Sequence, residues 1–228
     1  MATYVVSGAS RGIGEALIAR IIELGNKAIA IIRNEEDAFR ISSKYNTEDL
    51  MILPIDLRDP NLESEICSSI EEFGGVVDVL INNAGTGGSG KSLIQTDLKL
   101  VSSLFENNCL TALALSKYCM PYLLKSGYPQ VVNVISRFGL IDVLQKTDMT
   151  VSYAYSLSKG ALHQLTVLMN RDSSLKDVSI YSVDPGPTKT RMGREDAVAS
   201  PAEVAIKFLE LIQRQDPKLG GSYFKIEV

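Results

Sequence analysis

The sequence predicts an α/β fold: a single doubly wound domain in which a seven-stranded parallel sheet has helices on both faces. Two observations predict it. Short β-branched and apolar runs alternate with segments of helical periodicity along the chain, and a glycine-rich turn joins the first run to the first helix. Strands that alternate with helices form a parallel sheet, because each helical crossover returns the chain to the same edge. With 228 residues, of which 45% are hydrophobic, we expect one domain over residues 1–228.

The predicted strands are short runs that are rich in Val and Ile. They are expected at Thr3–Ser7, Lys27–Ile32, Leu50–Ile55, Val77–Asn82, Gln130–Ile135, Val178–Val183 and Ser222–Glu227. Between them, apolar residues recur at helical spacing, as Ala161, Leu165 and Leu168 do after the fifth strand. No internal repeat or proline-rich linker divides the chain, which favours one continuous sheet.

The glycine-rich turn after the first strand has the sequence Gly8-Ala-Ser-Arg-Gly12-Ile-Gly14. A strand, a glycine turn and a helix in this order form the phosphate-binding loop of Rossmann-type folds. Gly8 permits the tight turn, Gly12 lets the backbone approach a pyrophosphate, and Gly14 lets helix and strand pack closely. The free N–H groups of the helix N-terminus favour a bound phosphate. The turn therefore predicts a dinucleotide site, with a plain strand–helix connection as the alternative.

Tyr155 and Lys159 lie four residues apart in a helical segment, so their side chains share one face. A free phenol has a pKa near about 10 and exchanges protons poorly at neutral pH. An ammonium at about 4 Å favours the phenolate by on the order of 4 kcal/mol at an effective dielectric of about 20. We therefore expect Lys159 to lower the pKa of Tyr155 toward the range of a general acid–base group. Tyr153 lacks such a lysine, and an exposed pair without function is the alternative.

Five motifs follow one another along the chain, and their order is informative. They are Gly8-x-x-x-Gly12-x-Gly14, Asn82-Asn-Ala-Gly85, Ser136-Arg-Phe-Gly139, Tyr155-x-x-x-Lys159 and Asp184-Pro-Gly186. Together they resemble the short-chain dehydrogenase/reductase family over essentially the whole chain. The compact length and the short segment after Met192 are most similar to the C-factor and sniffer carbonyl reductases.

The resemblance implies a catalytic set of Asn108, Ser136, Tyr155 and Lys159. Tyr155 would donate a proton, Ser136 would hydrogen-bond the reacting oxygen, and Asn108 would support a water that passes a proton toward Lys159. Asn107 is the alternative asparagine, but the residues after Asn108 fit the family register better. A serine at a strand end is otherwise a common turn former. Ser136 and Tyr155 are 19 positions apart, a longer connection than most family members have.

The end of the second predicted strand favours NADP(H) as the cofactor. An NAD enzyme normally places a carboxylate there for the ribose hydroxyls, whereas this strand is followed by Arg33. A guanidinium can hold a 2′-phosphate through paired charge-assisted bonds, and Arg11 in the glycine turn adds a second positive charge. Two surface arginines without a ligand are the alternative.

The resemblance also implies a set of cofactor contacts around these arginines. Asp56 and Leu57 resemble the adenine-contacting pair, while Asn83 and Thr188 match positions on the nicotinamide-ribose side. Ser7 stands where threonine is usual, and either residue supplies a hydroxyl. The full implied set is Gly8, Ser10, Arg11, Gly12, Ile13, Gly14, Arg33, Asp56, Leu57, Asn83, Ala84, Gly85, Tyr155, Lys159, Pro185, Gly186 and Thr188.

Composition argues against several other classes of protein. The net charge of −4 gives no basic excess for a nucleic-acid or membrane surface. Three irregularly spaced cysteines predict neither a disulfide framework nor a metal site. His163 is the only histidine, and we interpret it as a helix residue without a chemical role. The chain has no apolar run of membrane-spanning length and no room for a secretory signal before the first strand, which predicts a cytoplasmic protein.

These observations predict an NADPH-dependent oxidoreductase that reduces a ketone, aldehyde or quinone to the alcohol, with Tyr155 as the general acid. A dinucleotide-binding regulatory or signalling protein is the alternative, because a fold alone does not fix an activity.

The helices that carry Asn108 and Tyr155 have more apolar residues than one sheet face needs. Related enzymes commonly pair these helices, so we expect a homodimer through them, with coverage by loops of the same chain as the alternative. The apolar residues in question are Leu110, Leu113, Leu115, Tyr118, Leu162, Leu165, Val167, Leu168 and Met169.

Overall fold

A computed structural model describes residues 1–45, 47–88, 92–193, 197–214 and 223–228. Its centre is a seven-stranded sheet in the order β3-β2-β1-β4-β5-β6-β7. Every neighbouring pair of strands is parallel, which confirms the predicted fold class. The strands are β1 (Thr3–Ser7), β2 (Lys27–Ile32), β3 (Leu50–Pro54), β4 (Val79–Asn82), β5 (Gln130–Val134), β6 (Ser179–Asp184) and β7 (Tyr223–Lys225).

Helices cover both faces of this sheet. Successive strand residues point to opposite faces, and accordingly Tyr4 and Val6 belong to one buried apolar cluster while Val5 belongs to the other. The first cluster takes residues from α1, α2 and α8, and the second from α3, α5 and α7. The α-helices of the described residues are α1 (Gly12–Glu23), α2 (Glu35–Lys44), α3 (Leu62–Glu72), α4 (Leu98–Phe105), α5 (Thr111–Leu123), α6 (Ile141–Leu144), α7 (Tyr153–Arg171) and α8 (Pro201–Gln213).

The predicted strands are all found, but several ends differ by one or two residues. β4 begins at Val79 rather than Val77 because Val77 is buried by α5, and its N–H donates to Tyr122 O at 3.3 Å. Apolarity in this case signals burial without strand pairing. β3 and β5 each end one residue earlier than predicted, and β6 is shifted by one residue. The predicted start of the last strand, Ser222, lies outside the described residues.

The face of α5 and α7 that is open to solvent is narrower than the sequence suggested. Leu115, Leu162 and Met169 are 0%, 1% and 9% exposed, so they belong to the core and cannot contribute to a subunit contact. Leu113 and Leu168 are 45% and 58% exposed. The expected dimer surface is therefore reduced to the second group and its exposed neighbours.

Buried polar side chains join the carboxyl-end halves of β4, β5 and β6, where Asn82, Asn133 and Ser182 lie side by side. Asn82 Nδ2 donates to Ser116 Oγ at 3.0 Å and to Asn133 Oδ1 at 2.8 Å. Asn133 Nδ2 and Ser182 Oγ both donate to Thr166 Oγ1, at 2.9 Å each. A buried polar group without a partner costs about 1–3 kcal/mol, so this network fixes α5 and α7 relative to the three strands.

His163 extends this network toward the last strand. Its Nδ1 lies 3.0 Å from Ser182 Oγ, and its ring meets the Tyr223 ring edge-on at a centroid distance of 6.4 Å. The sequence interpretation gave His163 no chemical role, and the structure gives it a structural one. Burial lowers the pKa of His163 below its ordinary value of 6.5.

We expect the stability of the protein to fall in acid partly because of His163. The unfolded chain binds this proton at a higher pH than the folded chain does, so protonation favours unfolding. The contribution of His163 is therefore complete above its unfolded pKa of about 6.5 and decreases below it, toward the lowered pKa. His163→Gln, which can still bond Ser182, should lose less free energy of unfolding than the wild type between about pH 7 and about pH 5. Urea unfolding at both pH values measures this difference, and equal losses in the two proteins would contradict the prediction.

Candidate active site

The candidate site lies at the carboxyl edge of the sheet, where the loops after β1, β4, β5 and β6 meet. Ligands of doubly wound folds bind at this edge. The loop after β1 is the glycine turn, in which Gly8 and Gly12 have φ values of 65° and 56°. Side chains other than glycine rarely adopt this left-handed conformation. A Cβ on Gly14 would collide with Gly8 O, so strand and helix touch directly at this point.

The start of α1 fits a bound phosphate. The helix begins at Gly12, and the preceding Arg11 does not cap it with its side chain. The N–H groups of the first turn therefore face the glycine turn as donors for an anion. Ser10 and Ile13 complete the turn, and Ile13 packs against the apolar cluster below it.

The loop after β4 is tied to the glycine turn through Ser7 and Asn83. Ser7 Oγ accepts hydrogen bonds from Asn83 N at 3.1 Å and Ala84 N at 3.0 Å. Asn83 Nδ2 donates to Ser7 O at 2.9 Å and to Gly8 O at 3.1 Å. The hydroxyl of Ser7 therefore positions the Asn82-Asn-Ala-Gly85 motif against the phosphate loop.

Asn108 comes from a π-helical turn, Glu106–Leu110, between α4 and α5. In this turn Thr111 N–H donates to Glu106 O, five residues earlier instead of four. Single π-turns inside helices are frequent at functional sites. The sequence predicted an ordinary helix here, because an inserted π-turn leaves no mark on apolar periodicity.

The side chain of Asn108 joins the loop after β4 to α7. It is 1% exposed, and its Nδ2 donates to Thr86 O and to Ser158 Oγ at 2.9 Å each. Its Oδ1 accepts from Thr86 N at 2.7 Å. Asn107 instead bonds back to Ser103 O on its own helix at 2.7 Å, so Asn108 is the asparagine that reaches the site. Sequence reasoning missed Thr86 and Ser158, although Ser158 lies inside the Tyr155-x-x-x-Lys159 motif.

The loop after β5 lies directly on α7. A Cβ on Gly139 would come within 2.6 Å of the Lys159 carbonyl carbon, so only glycine permits this approach. Ser156 Oγ donates to Phe138 O at 2.6 Å and closes the same contact. The result brings the side chains of Ser136 and Tyr155 into a hydrogen bond. The long connection between them contains the short helix α6.

The pKa of Tyr155 shifts in the opposite direction from the one expected. Burial raises it, a hydrogen bond with Ser136 works against this, and the charge of Asp184 raises it further. Lys159 is 4% exposed, and its Nζ donates to Val134 O at 2.8 Å. Burial lowers the pKa of Lys159 to about 8, although the charge of Asp184 opposes this. The expected lowering of the Tyr155 pKa by Lys159 is therefore not found, because the ammonium bonds a backbone carbonyl and desolvation dominates at the phenol.

Gly85 brings the remaining catalytic candidates together. A Cβ on this residue would lie 3.2 Å from Lys159 Nζ and 3.3 Å from Asn108 Oδ1. The loop after β4 therefore passes between the two side chains at the closest distance that a backbone allows. All four candidates, Asn108, Ser136, Tyr155 and Lys159, are thus placed around one end of α7.

The loop after β6 crosses the same edge of the sheet. Pro185 and Gly186 begin it, and Thr188 turns its hydroxyl back to Gly186 O at 3.1 Å. Farther along, a Cβ on Gly12 would lie 3.2 Å from Thr190 Cγ2, and a Cβ on Gly87 would lie 3.7 Å from Met192 Sδ. The segment therefore reaches from the glycine turn to the loop after β4.

The predicted adenosine end of the site is rich in charge. Arg33 is exposed just after β2, and Arg11 is exposed at the glycine turn. Asp56 is held by Arg58, with Oδ2 to Nη2 at 2.7 Å and Oδ1 to Nε at 3.0 Å, and these hydrogen bonds lower the pKa of Asp56 to about 2. The neighbouring Leu57 packs against the apolar cluster on its face of the sheet.

Arg40 is a residue of this end that sequence reasoning missed. Its guanidinium bonds Ser10 O in the glycine turn and reaches Glu15 Oε2 at 3.3 Å. A lone arginine in α2 carries no sequence signal for this contact, since the contact spans 30 positions of the chain.

Two other searches of the described residues gave negative results. They contain no group of three or more His, Cys, Asp or Glu that could hold a metal ion. They also contain no helix of the length and apolarity required to span a membrane.

Comparison with known proteins places this geometry among related sequences. The family model described as short chain dehydrogenase matches residues 2–199. An uncharacterized oxidoreductase of Staphylococcus epidermidis is 27% identical over 188 residues, which cover 82% of this chain and 78% of that protein. Human dehydrogenase/reductase SDR family member 7 is 27% identical over 195 residues, which cover 82% of this chain and 55% of that protein.

Solved structures share the fold. The carbonyl reductase Sniffer of D. melanogaster superposes with a TM-score of 0.89 at 23% identity, over 99% of this chain and 96% of that chain. An NADPH-bound carbonyl reductase from chicken fatty liver superposes with a TM-score of 0.87 at 24% identity, over 98% of this chain and 95% of that chain.

Proposed function

The chain belongs to the short-chain dehydrogenase family of oxidoreductases, and we propose that it is an NADPH-dependent carbonyl reductase. The family match confirms the resemblance inferred from the five motifs. The observation that carries the proposal is the convergence of Ser136, Tyr155, Lys159 and Asn108 around one end of α7. The substrate would be a ketone, an aldehyde or a quinone.

Tyr155 is the proton donor in this proposal. A bound nicotinamide cofactor supplies the hydride for the carbonyl carbon. Burial raises the pKa of Tyr155, so the phenol stays protonated at neutral pH and can deliver its proton to the developing alkoxide. Ser136, already hydrogen-bonded to Tyr155, is placed to bond the same oxygen, and that bond strengthens as charge develops.

Lys159 and Asn108 organise the other side of the site. The Lys159 ammonium lies against the backbone of Gly85, where it can hold the hydroxyls of a nicotinamide ribose. Asn108 locks the loop after β4 onto α7 through Thr86 and Ser158. That Asn108 also supports a water for proton transfer to Lys159 stays a prediction.

The preference for NADPH rests on Arg11 and Arg33. Both guanidinium groups are exposed, one at the phosphate loop and one at the end of β2. A 2′-phosphate on the adenosine ribose carries the charge and the paired acceptors that a guanidinium binds best. The glycine turn beside them fits a pyrophosphate by its free N–H groups and its close helix–strand contact.

We also propose a homodimer through α5 and α7. The apolar residues left at the surface there include Leu110, Leu113, Leu157, Val167 and Leu168, which are 38–58% exposed. A stripe of this kind on adjoining helices suits a self-complementary two-fold contact. Such a contact would lie behind the helix that carries Tyr155 and Lys159.

Removal of the Tyr155 hydroxyl should abolish turnover. We expect Tyr155→Phe to lower kcat by at least about 100-fold, since a positioned general acid contributes about that much or more. NADPH affinity should stay unchanged, because the ring remains in place. Tyr153→Phe, two residues earlier and exposed on the same helix, is the matched control and should keep wild-type kcat. NADPH oxidation with a panel of ketones, aldehydes and quinones measures both variants. A Tyr155→Phe enzyme that retains most of its kcat would exclude Tyr155 as the acid, and tight NADPH binding without turnover in the wild type would favour a regulatory protein.

Reversal of the charge at Arg33 should change the cofactor preference. Arg33→Asp replaces a phosphate-binding guanidinium by a carboxylate, so kcat/KM for NADPH should fall by about 10-fold or more relative to that for NADH. Arg171→Asp makes the same charge change at the far end of α7 and should leave the ratio unchanged. A wild-type preference for NADH, or equal ratios in all three proteins, would show that Arg33 is only a surface residue.

A charge in the exposed stripe should separate the subunits. Leu168→Asp places a carboxylate in the proposed contact, and we expect light scattering to give the monomer mass of 24.8 kDa. Leu24→Asp changes an exposed leucine at the end of α1 and should leave the dimer intact. A wild-type mass that stays at the monomer value across a concentration series would refute the dimer.

A further inference from the structure

Asp184, the last residue of β6, connects several loops through one buried carboxylate. It is 4% exposed. Its Oδ2 accepts hydrogen bonds from Arg137 N at 3.0 Å and from the Tyr223 hydroxyl at 3.1 Å, and its Oδ1 accepts from Gly186 N at 3.0 Å. Its backbone oxygen accepts from Ile226 N at 2.8 Å. The loops after β5 and β6 and the last strand therefore meet at this side chain.

The donors of Asp184 are neighbours of the catalytic candidates. Arg137 directly follows Ser136, so the bond to its N–H fixes the backbone beside the serine. Gly186 opens the loop that contains Thr188. A change at Asp184 would therefore be felt on two sides of the site without any contact of its own with a substrate.

The charge of Asp184 needs a counter-charge, because burial of an unpaired carboxylate is strongly unfavourable. Its three hydrogen-bond donors are two amides and a phenol, which carry no formal charge. The titratable and charged groups around Asp184 or its donor Tyr223 are Tyr155, Lys159 and His163 on α7, Arg137 after β5, Asp142 on α6, and Tyr223 and Lys225 on β7.

Among these cations, Lys159 is the buried one. Lys225 pairs with Glu227 at 3.2 Å, and the Arg137 guanidinium lies over the Phe138 ring at 5.0 Å. Attraction by Asp184 raises the pKa of Lys159 against the effect of burial, and the balance is a pKa of about 8. The two opposite charges therefore stabilise each other inside the site.

We propose that Asp184 is a positioning residue of the catalytic site, whose buried negative charge keeps Lys159 protonated at neutral pH while its hydrogen bonds hold the backbone next to Ser136. The inference rests on the proposed function for the importance of Lys159, but the charge coupling itself is measurable without turnover.

The test follows the Lys159 side chain by NMR of the protein labelled with ¹³C at lysine Cε. The wild-type midpoint should lie near 8. In Asp184→Asn the midpoint should move down by about one pH unit, because removal of a charge at this range is worth about that much. Tyr223→Phe removes one donor and keeps the charge, so its midpoint should stay at the wild-type value even if its melting temperature falls. An unchanged Lys159 midpoint in folded Asp184→Asn would overturn the proposal and leave Asp184 a structural residue only.

A measurement on the wild type keeps the proposal falsifiable if Asp184→Asn does not fold. The ¹³C shift of the Asp184 carboxyl carbon should change with the same midpoint as the Lys159 Cε shift, since loss of one charge alters the field at the other. A carboxyl shift that stays constant through the Lys159 midpoint would overturn the proposal. Failure of the wild type to reduce any carbonyl in the panel would contradict the proposed function and leave both titrations unaffected.

Discussion

The burial of the Lys159 ammonium is the constraint on which the arrangement of this site depends. A buried charge without compensation costs several kcal/mol, so the folded chain must bring partners to it. Val134 O accepts its hydrogen bond, Gly85 lets the loop after β4 come within contact distance, and Asp184 supplies an opposite charge. These partners come from three different strands or their loops. Since Tyr155 lies one helical turn away, the same requirement fixes the place of the phenol.

Rigid support for this arrangement comes from the interior of the sheet. Asn82 and Asn133 connect β4 and β5 just below the site, and Thr166 extends the network to α7. Because each group would be left unpaired by a shift of its neighbour, the strands and α7 move together or not at all. A site of this kind is held by its supporting residues more than by the loops that line it.

Sequence reasoning was most successful where local pattern decides structure. Strand periodicity and the five motifs gave the sheet, its parallel direction and the segments that meet at its edge. The face of each helix was less predictable. The π-turn around Asn108 adds a residue to one helical turn and so changes the phase of α5, which is why Leu115 lies in the core while Leu113 is exposed. The pKa of Tyr155 was predicted in the wrong direction because desolvation depends on tertiary packing, and no motif reports that packing.

The most direct test of the account is a crystal structure of the protein with bound NADPH. The account predicts that the pyrophosphate lies on the glycine turn at the start of α1 and the 2′-phosphate lies between Arg11 and Arg33. It also predicts that the nicotinamide ribose lies within hydrogen-bond distance of Lys159, with the ring beside Tyr155. A nicotinamide ring remote from Tyr155, or a 2′-phosphate that contacts neither arginine, would contradict it.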